Sequence, residues 1–161
     1  MASSTDICNK AISHLGIGKE IANLETERTA EALACRRFFS DVIEEVLRDY
    51  AWPFATKFSD LELVEEDPTS EWSYSYRYPS DCLEFRRILS GTRSDTPDTR
   101  IPYRVGQDSQ GRLIYTDQDS AEGEYTVRVT EAGRFTADFV SAASLLLASY
   151  IAPRLTAFSI F

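Results

Sequence analysis

Between Thr26 and Trp52 (TERTAEALACRRFFSDVIEEVLRDYAW) the apolar residues fall at Cys35, Phe38, Phe39, Val42, Ile43, Val46, Leu47 and Tyr50. Steps of three and four place them on one face of an α-helix. Arg36, Arg37, Ser40, Asp41, Glu44, Glu45, Arg48 and Asp49 fall on the other side, where Arg37–Asp41 and Glu44–Arg48 have the spacing of helical ion pairs. Thr26 is the expected N-cap. Trp52-Pro53 is the expected end, because a residue before proline is pushed out of the helical region. Upstream, Ser3 and Asp6 make a capping signature, and Ile7, Cys8, Ala11, Ile12 and Leu15 form a shorter helical stripe. Gly16 is placed to cap it in the left-handed conformation. Two amphipathic helices joined by so short a link are expected to pack on each other.

Beyond Phe54 the period changes to two. Phe58, Leu61 and Leu63 predict one strand, and Glu65 to Ser70 an acidic loop. Trp72, Tyr74, Tyr76 and Tyr78 alternate with Ser73, Ser75 and Arg77, the pattern of a half-buried strand with an aromatic face. Pro79-Ser80-Asp81 starts a turn, with one helical turn expected through Cys82 and Leu83, and Phe85 to Leu89 follows as a strand. Gly91 to Arg100 has no periodic apolar residue and is expected to be an exposed, mobile loop. Ile101–Val105, Arg112–Thr116 and Glu124–Val129 are three further strands between turn-rich segments. From Thr136 or Asp138 the helical period returns with Phe139, Val140, Ala143, Leu146, Leu147, Tyr150 and Ile151, and Pro153 should end or kink it. Helices at both ends with strands between them define an α+β fold. It is expected as one domain: a helical bundle from 1–55 and 134–155, a β-rich insertion over 56–133, and a C-terminal tip over 156–161.

Composition adds mainly exclusions. With 161 residues, 43% of them apolar, the chain can bury a real core. Its net charge of −9 lacks the cationic surplus of an autonomous nucleic-acid binder, and Arg86-Arg87, the basic pair outside the long helix, is more simply an exposed strand end. The start MASSTDICNK has neither a basic leader nor an apolar run, so no cleavable signal is expected. No membrane span is expected either, since Ser144, Ser149 and Tyr150 interrupt the apolar run from Ala142 to Ala152. Cys8, Cys35 and Cys82 are odd in number and far apart, and are expected as free thiols in a reducing cytoplasm.

Candidate chemistry is sparse. The one histidine, His14, has no cysteine or acid at metal-ligand spacing, and a serine or cysteine triad would depend on it alone. Gly16-x-Gly18 lacks the preceding strand and the third glycine of a dinucleotide turn. A paired-carboxylate hydrolase is the enzymatic alternative, yet Glu44-Glu45 read as helix surface and Glu65-Glu66-Asp67 as a solvated loop. Asp117 and Asp119 have no EF-hand frame. The aromatic strand Trp72–Tyr78 has the rings to stack sugars or bases, but more simply supplies a core or interface face.

The ordered residue pattern is more specific than any single motif. Asn9-Lys10-Ala11-Ile12-Ser13-His14-Leu15-Gly16 is followed by Ile21…Leu24-Glu25 and Ala30…Ala34-Cys35-Arg36-Arg37-Phe38-Phe39. Val46-Leu47…Trp52-Pro53-Phe54-Ala55 and Tyr76-Arg77-Tyr78-Pro79-Ser80-Asp81-Cys82-Leu83 come next. From about Ile7 to Arg154 this resembles the head-to-tail adaptor proteins of short-tailed bacteriophages, the tail tubular protein A and tail accessory factor type. The resemblance implies a structural virion protein, made in the host bacterial cytoplasm. Such adaptors form a twelvefold ring between portal protein and tail nozzle protein, extend the DNA channel, and have neither catalytic residues nor a cofactor or metal.

Under that resemblance, Arg36, Arg37, Asp41, Glu44, Glu45 and Arg48 are candidate contacts between neighbouring copies. Thr92, Arg93, Asp95, Asp98 and Arg100 form a candidate nozzle-facing loop. Phe158, Ile160 and Phe161 are candidate portal contacts. DNA would pass through without specific binding, and no membrane is implied. Family members usually continue past the third helix with an arm that climbs onto the portal. Here the apolar tip Ala157–Phe161 is expected either to plug a portal groove or to fold back on its own helix. The readings from other classes are a virion-associated, carboxylate-dependent peptidoglycan hydrolase and a generic interaction or chaperone-like module.

Overall fold

The computed structural model describes residues 2–156; the tip residues Phe158, Ile160 and Phe161 lie outside them. It has three helices, two near the N-terminus and one near the C-terminus, with two antiparallel sheets between them, an α+β fold. The chain divides into two compact units, Met1–Tyr50 with Val129–Phe161, and Ala51–Arg128.

In the helical unit, α1 (Ser4–His14) opens with a capping box: the Ser3 hydroxyl accepts from the Asp6 amide, and the Asp6 carboxylate accepts from the Ser3 amide. Leu15 closes it and Gly16 follows at φ +75°, in the left-handed region where a side chain would be strained. The second helix, α2 (Ala30–Asp49), starts three residues later than expected. Its cap is Thr29, whose hydroxyl accepts from the Ala32 amide. Thr26 instead bonds through its amide to the Asn23 side chain, in a turn that also binds the Glu25 amide. The helix also stops short of Trp52, because Tyr50 is already extended (φ −147°, ψ 150°).

The last helix, α3 (Ala137–Thr156), is the hub of this unit. It packs extensively against both α1 and α2, which also touch each other through Cys8 and Cys35 as expected from their short link, but less extensively. Phe139, Val140, Ala143, Ser144, Leu147, Ala148 and Ile151 are buried. By length and composition α3 is long and apolar enough to cross a membrane, against the expectation from Ser144, Ser149 and Tyr150; α1 and α2 cover one face of it, while Leu145 on another is 56% exposed. Pro153 lies inside α3 and does not end it. In the last turn it forfeits a single backbone hydrogen bond, and the Thr156 hydroxyl bonds back to the Ala152 carbonyl. Of the stripe expected on this helix, Tyr150 is instead exposed, stacked on Phe38 of α2 and donating its hydroxyl proton to Glu45.

The β unit begins with a 3₁₀ turn, Pro53–Ala55, followed by β1 (Thr56–Asp60), β2 (Leu63–Glu66), β3 (Tyr74–Arg77), β4 (Cys82–Ile88), β5 (Tyr103–Asp108), β6 (Gly111–Thr116) and β7 (Glu122–Val127). One sheet has the order β1-β7-β4 and the other β2-β3-β6-β5, all neighbours antiparallel. The single strand expected over Phe58–Leu63 is two strands in different sheets, and Glu65-Glu66 belong to β2 rather than to a loop. Cys82-Leu83 open β4 instead of forming a helical turn. Tyr76, Ile114, Phe85, Ile88, Tyr125, Leu61 and Ala121 form a core to which both sheets contribute.

Two irregularities shape that core. In β4 the register shifts between Phe85 and Arg87, so Phe85 and Ile88, three apart, both reach the core. On the central strand β7, a methyl group at Gly123 would come within 2.6 Å of Phe85 Cε2 and 3.3 Å of Leu61 Cδ2. Glycine is required there because the Phe85 ring lies across the strand. Gly123→Ala is therefore expected to cost about 1–3 kcal/mol in denaturant unfolding. Gly18→Ala, with nothing within 4 Å of the added methyl, should leave the midpoint nearly unchanged.

Candidate interaction surfaces

The outer face of α2 carries Arg37, Asp41, Glu44 and Arg48, with Glu44 and Arg48 paired at 3.5 Å. No ion pair within 4.0 Å joins Arg37 to Asp41 among the described residues, leaving both side chains exposed for other contacts. The remaining two candidates on this helix are turned to internal use. Arg36 donates to the carbonyl oxygens of Leu24 (2.9 Å) and Glu25 (2.8 Å), holding down the α1–α2 connection. Glu45 accepts from Tyr150. Helical spacing separates the two faces but does not show which rim residues fold inward.

The segment Gly91–Arg100 is exposed and irregular, as expected, but it has an internal anchor. Asp95, its side chain 14% exposed, accepts from Arg87 at 2.9 Å, from Thr99 Oγ1 at 2.6 Å and from Ser90 Oγ at 3.3 Å. Those bonds, Thr99 foremost, hold its carboxyl below the usual range. The same Arg87 donates Nε to Glu124, its cross-strand partner on β7. Thr92, Arg93, Asp98 and Arg100 are exposed around this anchor. Arg86 donates Nε to Thr126 Oγ1, so Arg86-Arg87 is a structural pair rather than a free basic patch.

Further polar pairs, not legible in the sequence, brace the β unit. Lys57 bonds to Asp81 at 2.7 Å, and the buried Tyr125 donates its hydroxyl to the other oxygen of that carboxylate at 3.1 Å. Arg77 of β3 grips Asp108 of β5 with two bonds of 3.0 Å. That guanidinium, helped by the amides of Gln110 and Gly111, pulls the Asp108 carboxyl down to about 2. The grooves beside these pairs are open, one of about 500 Å³ being lined in part by Lys57, Asp81, Arg77 and Arg112.

His14 Nε2 lies 3.3 Å from Ser144 Oγ, but Ser144 is fully buried and its hydroxyl proton goes to the Ser141 carbonyl. Every described carboxyl group whose pKa departs from its ordinary value departs downward, the opposite of a general acid poised near neutrality. Cys8 and Cys35 are free and buried; the hydrogen bond between their thiols, with burial, pushes Cys8 well up. No group of three or more potential metal ligands exists among the described residues. Tyr76 belongs to the core rather than to a stacking platform, its hydroxyl donating to the Gln118 carbonyl at 2.6 Å.

Compared with known families and with characterised sequences, the chain matches no family model and no characterised protein.

The Arg77–Asp108 pair has a defined pH signature. Because the folded-state pKa of Asp108 lies below the ordinary 3.8, the pair's contribution is present above that value and is lost as pH falls toward about 2. Asp108→Asn is expected to lower the melting temperature near neutral pH. The gap from the wild type should close as melts are recorded at successively lower pH down to about 2. A gap independent of pH would assign the effect to something other than the charge.

Proposed function

We propose that this chain is a structural virion protein of the head-to-tail adaptor type, forming a homo-oligomeric ring between portal protein and tail nozzle protein in a short-tailed phage. The observation that carries this reading is where the resemblance motifs fall: they occupy the joints of an architecture made of a helical bundle with a β-rich insertion. Asn9 clamps the α1–α2 connection by bonding both the amide (2.7 Å) and the carbonyl (3.0 Å) of Ile21. Leu15-Gly16 closes α1, and Trp52-Pro53-Phe54-Ala55 makes the 3₁₀ entry to the β unit. Tyr78-Pro79-Ser80-Asp81-Cys82-Leu83 forms the corner into β4, where Asp81 ties Lys57 to Tyr125.

In this reading the chain works through surfaces and turns over no substrate. Arg37, Asp41, Glu44 and Arg48 face neighbouring copies, and Thr92, Arg93, Asp98 and Arg100 present the anchored loop to the nozzle. The tip residues Phe158, Ile160 and Phe161 reach the portal. A subunit with net charge −9 suits a channel wall past which DNA slides, since phosphate contacts would grip and slow it.

Light scattering on the protein alone, and after mixing with the portal protein of the same phage, tests the proposal. A defined particle of many copies in either sample is the expected result. A monomer that ignores the portal would overturn it, and loss of turbidity from a peptidoglycan suspension would then support the hydrolase reading.

A further inference from the structure

The sheet β2-β3-β6-β5 ends in two edges whose residues match each other. One row across it runs Leu63, Tyr76, Ile114, Val105, and the next runs Glu65, Ser75, Tyr115, Arg104, with a register shift at Val64 between the two on β2. In the first row the two inner residues are buried, while Leu63 and Val105 at its ends are 46% and 43% exposed. In the second row a carboxylate stands at the β2 end and a guanidinium at the β5 end. The surrounding charges have the same polarity. Asp60, Glu62, Glu65, Glu66 and Asp67 lie on or next to β2, whereas β5 has Arg104, its own Asp108 being neutralised by Arg77, and Arg100 with Asp98 precedes it. Among the described residues, no backbone group of β2 or β5 makes a backbone hydrogen bond outside the ladders with β3 and β6.

We propose that β5 of one copy pairs with β2 of the next, so that the sheet continues from subunit to subunit. This rests on the ring-forming reading and names the surface through which neighbours join. Four antiparallel strands are an even number, so the two edges run in opposite directions. A second copy in the same orientation therefore adds antiparallel, satisfying edge amides and carbonyls that water now solvates. Continuing each row brings Val105 against Leu63 and Arg104 against Glu65, an apolar pair and an ion pair on opposite faces.

The twofold alternatives are electrostatically poor. Pairing β2 with β2 brings Glu65 and Glu66 of one copy close to those of the other, and pairing β5 with β5 brings Arg104 close to Arg104. A head-to-tail contact leaves one free edge at each end for the next copy, which is the geometry that closes into rings.

The test is disulfide trapping on the assembled protein, alone and on the portal. Leu63→Cys and Val105→Cys are placed in one chain in a Cys82→Ser background, since Cys8 and Cys35 are buried. Mild oxidation is expected to give a ladder of covalent dimers, trimers and higher species, and neither single variant should give one. Glu65→Arg and Arg104→Glu should each lower the assembled fraction, and the two together should restore it, with circular dichroism confirming that each variant is folded.

Rings by mass with no ladder, and with assembly indifferent to the charge reversals, would overturn edge pairing and leave the ring reading intact. Covalent dimers from a single-cysteine chain would overturn it in favour of twofold pairing. No high-order particle in either sample would overturn both proposals.

Discussion

One apolar face of α3, from Phe139 to Ile151, is buried, and in the helical unit α1 and α2 from earlier in the chain pack against this helix. Burying side chains such as Phe139, Leu147 and Ile151 contributes about 1.5–3 kcal/mol each. α1 and α2 make few direct contacts with each other, so their arrangement depends on α3 lying against both. The helical unit is therefore discontinuous in sequence, and the β unit is an excursion between its two parts. Capping at Ser3 and Thr29 and the Asn9 clamp on Ile21 set where α1 and α2 begin and how they connect, but the burial holding them together belongs to α3.

The β unit depends on a different economy. Its core is aromatic, with Phe85 in edge contact with Tyr103 at 5.0 Å and stacked near Tyr125 at 6.5 Å. The space for Phe85 exists because β7 has glycine at position 123. Around this core, cross-strand charge pairs set which strand ends meet: Lys57 with Asp81, Arg77 with Asp108, and Arg87 with both Glu124 and Asp95. These pairs are partly exposed, so their contribution lies more in fixing register and loop position than in bulk stability.

Much of this was legible from periodicity. The three helices, the aromatic strand β3 and the later strands follow from apolar spacing, and Ser3–Asp6 and Gly16 follow from capping chemistry. What periodicity missed has physical causes. Thr26 and Thr29 are both competent caps, and the choice was made by Asn23, whose side chain already holds the Thr26 amide. Phe58 and Leu63 look like one strand because alternation does not reveal a change of sheet. Pro153 stays helical because the last turn has little hydrogen bonding to lose. Arg36 and Glu45, candidate contacts between copies, and Asp95, a candidate of the nozzle-facing loop, each find a carbonyl, a phenol or a guanidinium that only folding brings near. For a protein whose candidate sites are surfaces, that distinction between inward and outward charge is the one a single sequence conveys least.

The discontinuous helical unit also bears on biosynthesis. As the chain leaves the ribosome, α1 and α2 emerge first with apolar faces that have no lasting partner. The entire segment Ala51–Arg128 must follow them before α3 is available to cover those faces. The first helices to be made are thus secured late, because the helix that packs against both of them is encoded after the whole β unit. The helical surface of this unit is therefore complete only after α3, which follows the whole β unit in the chain, has been made.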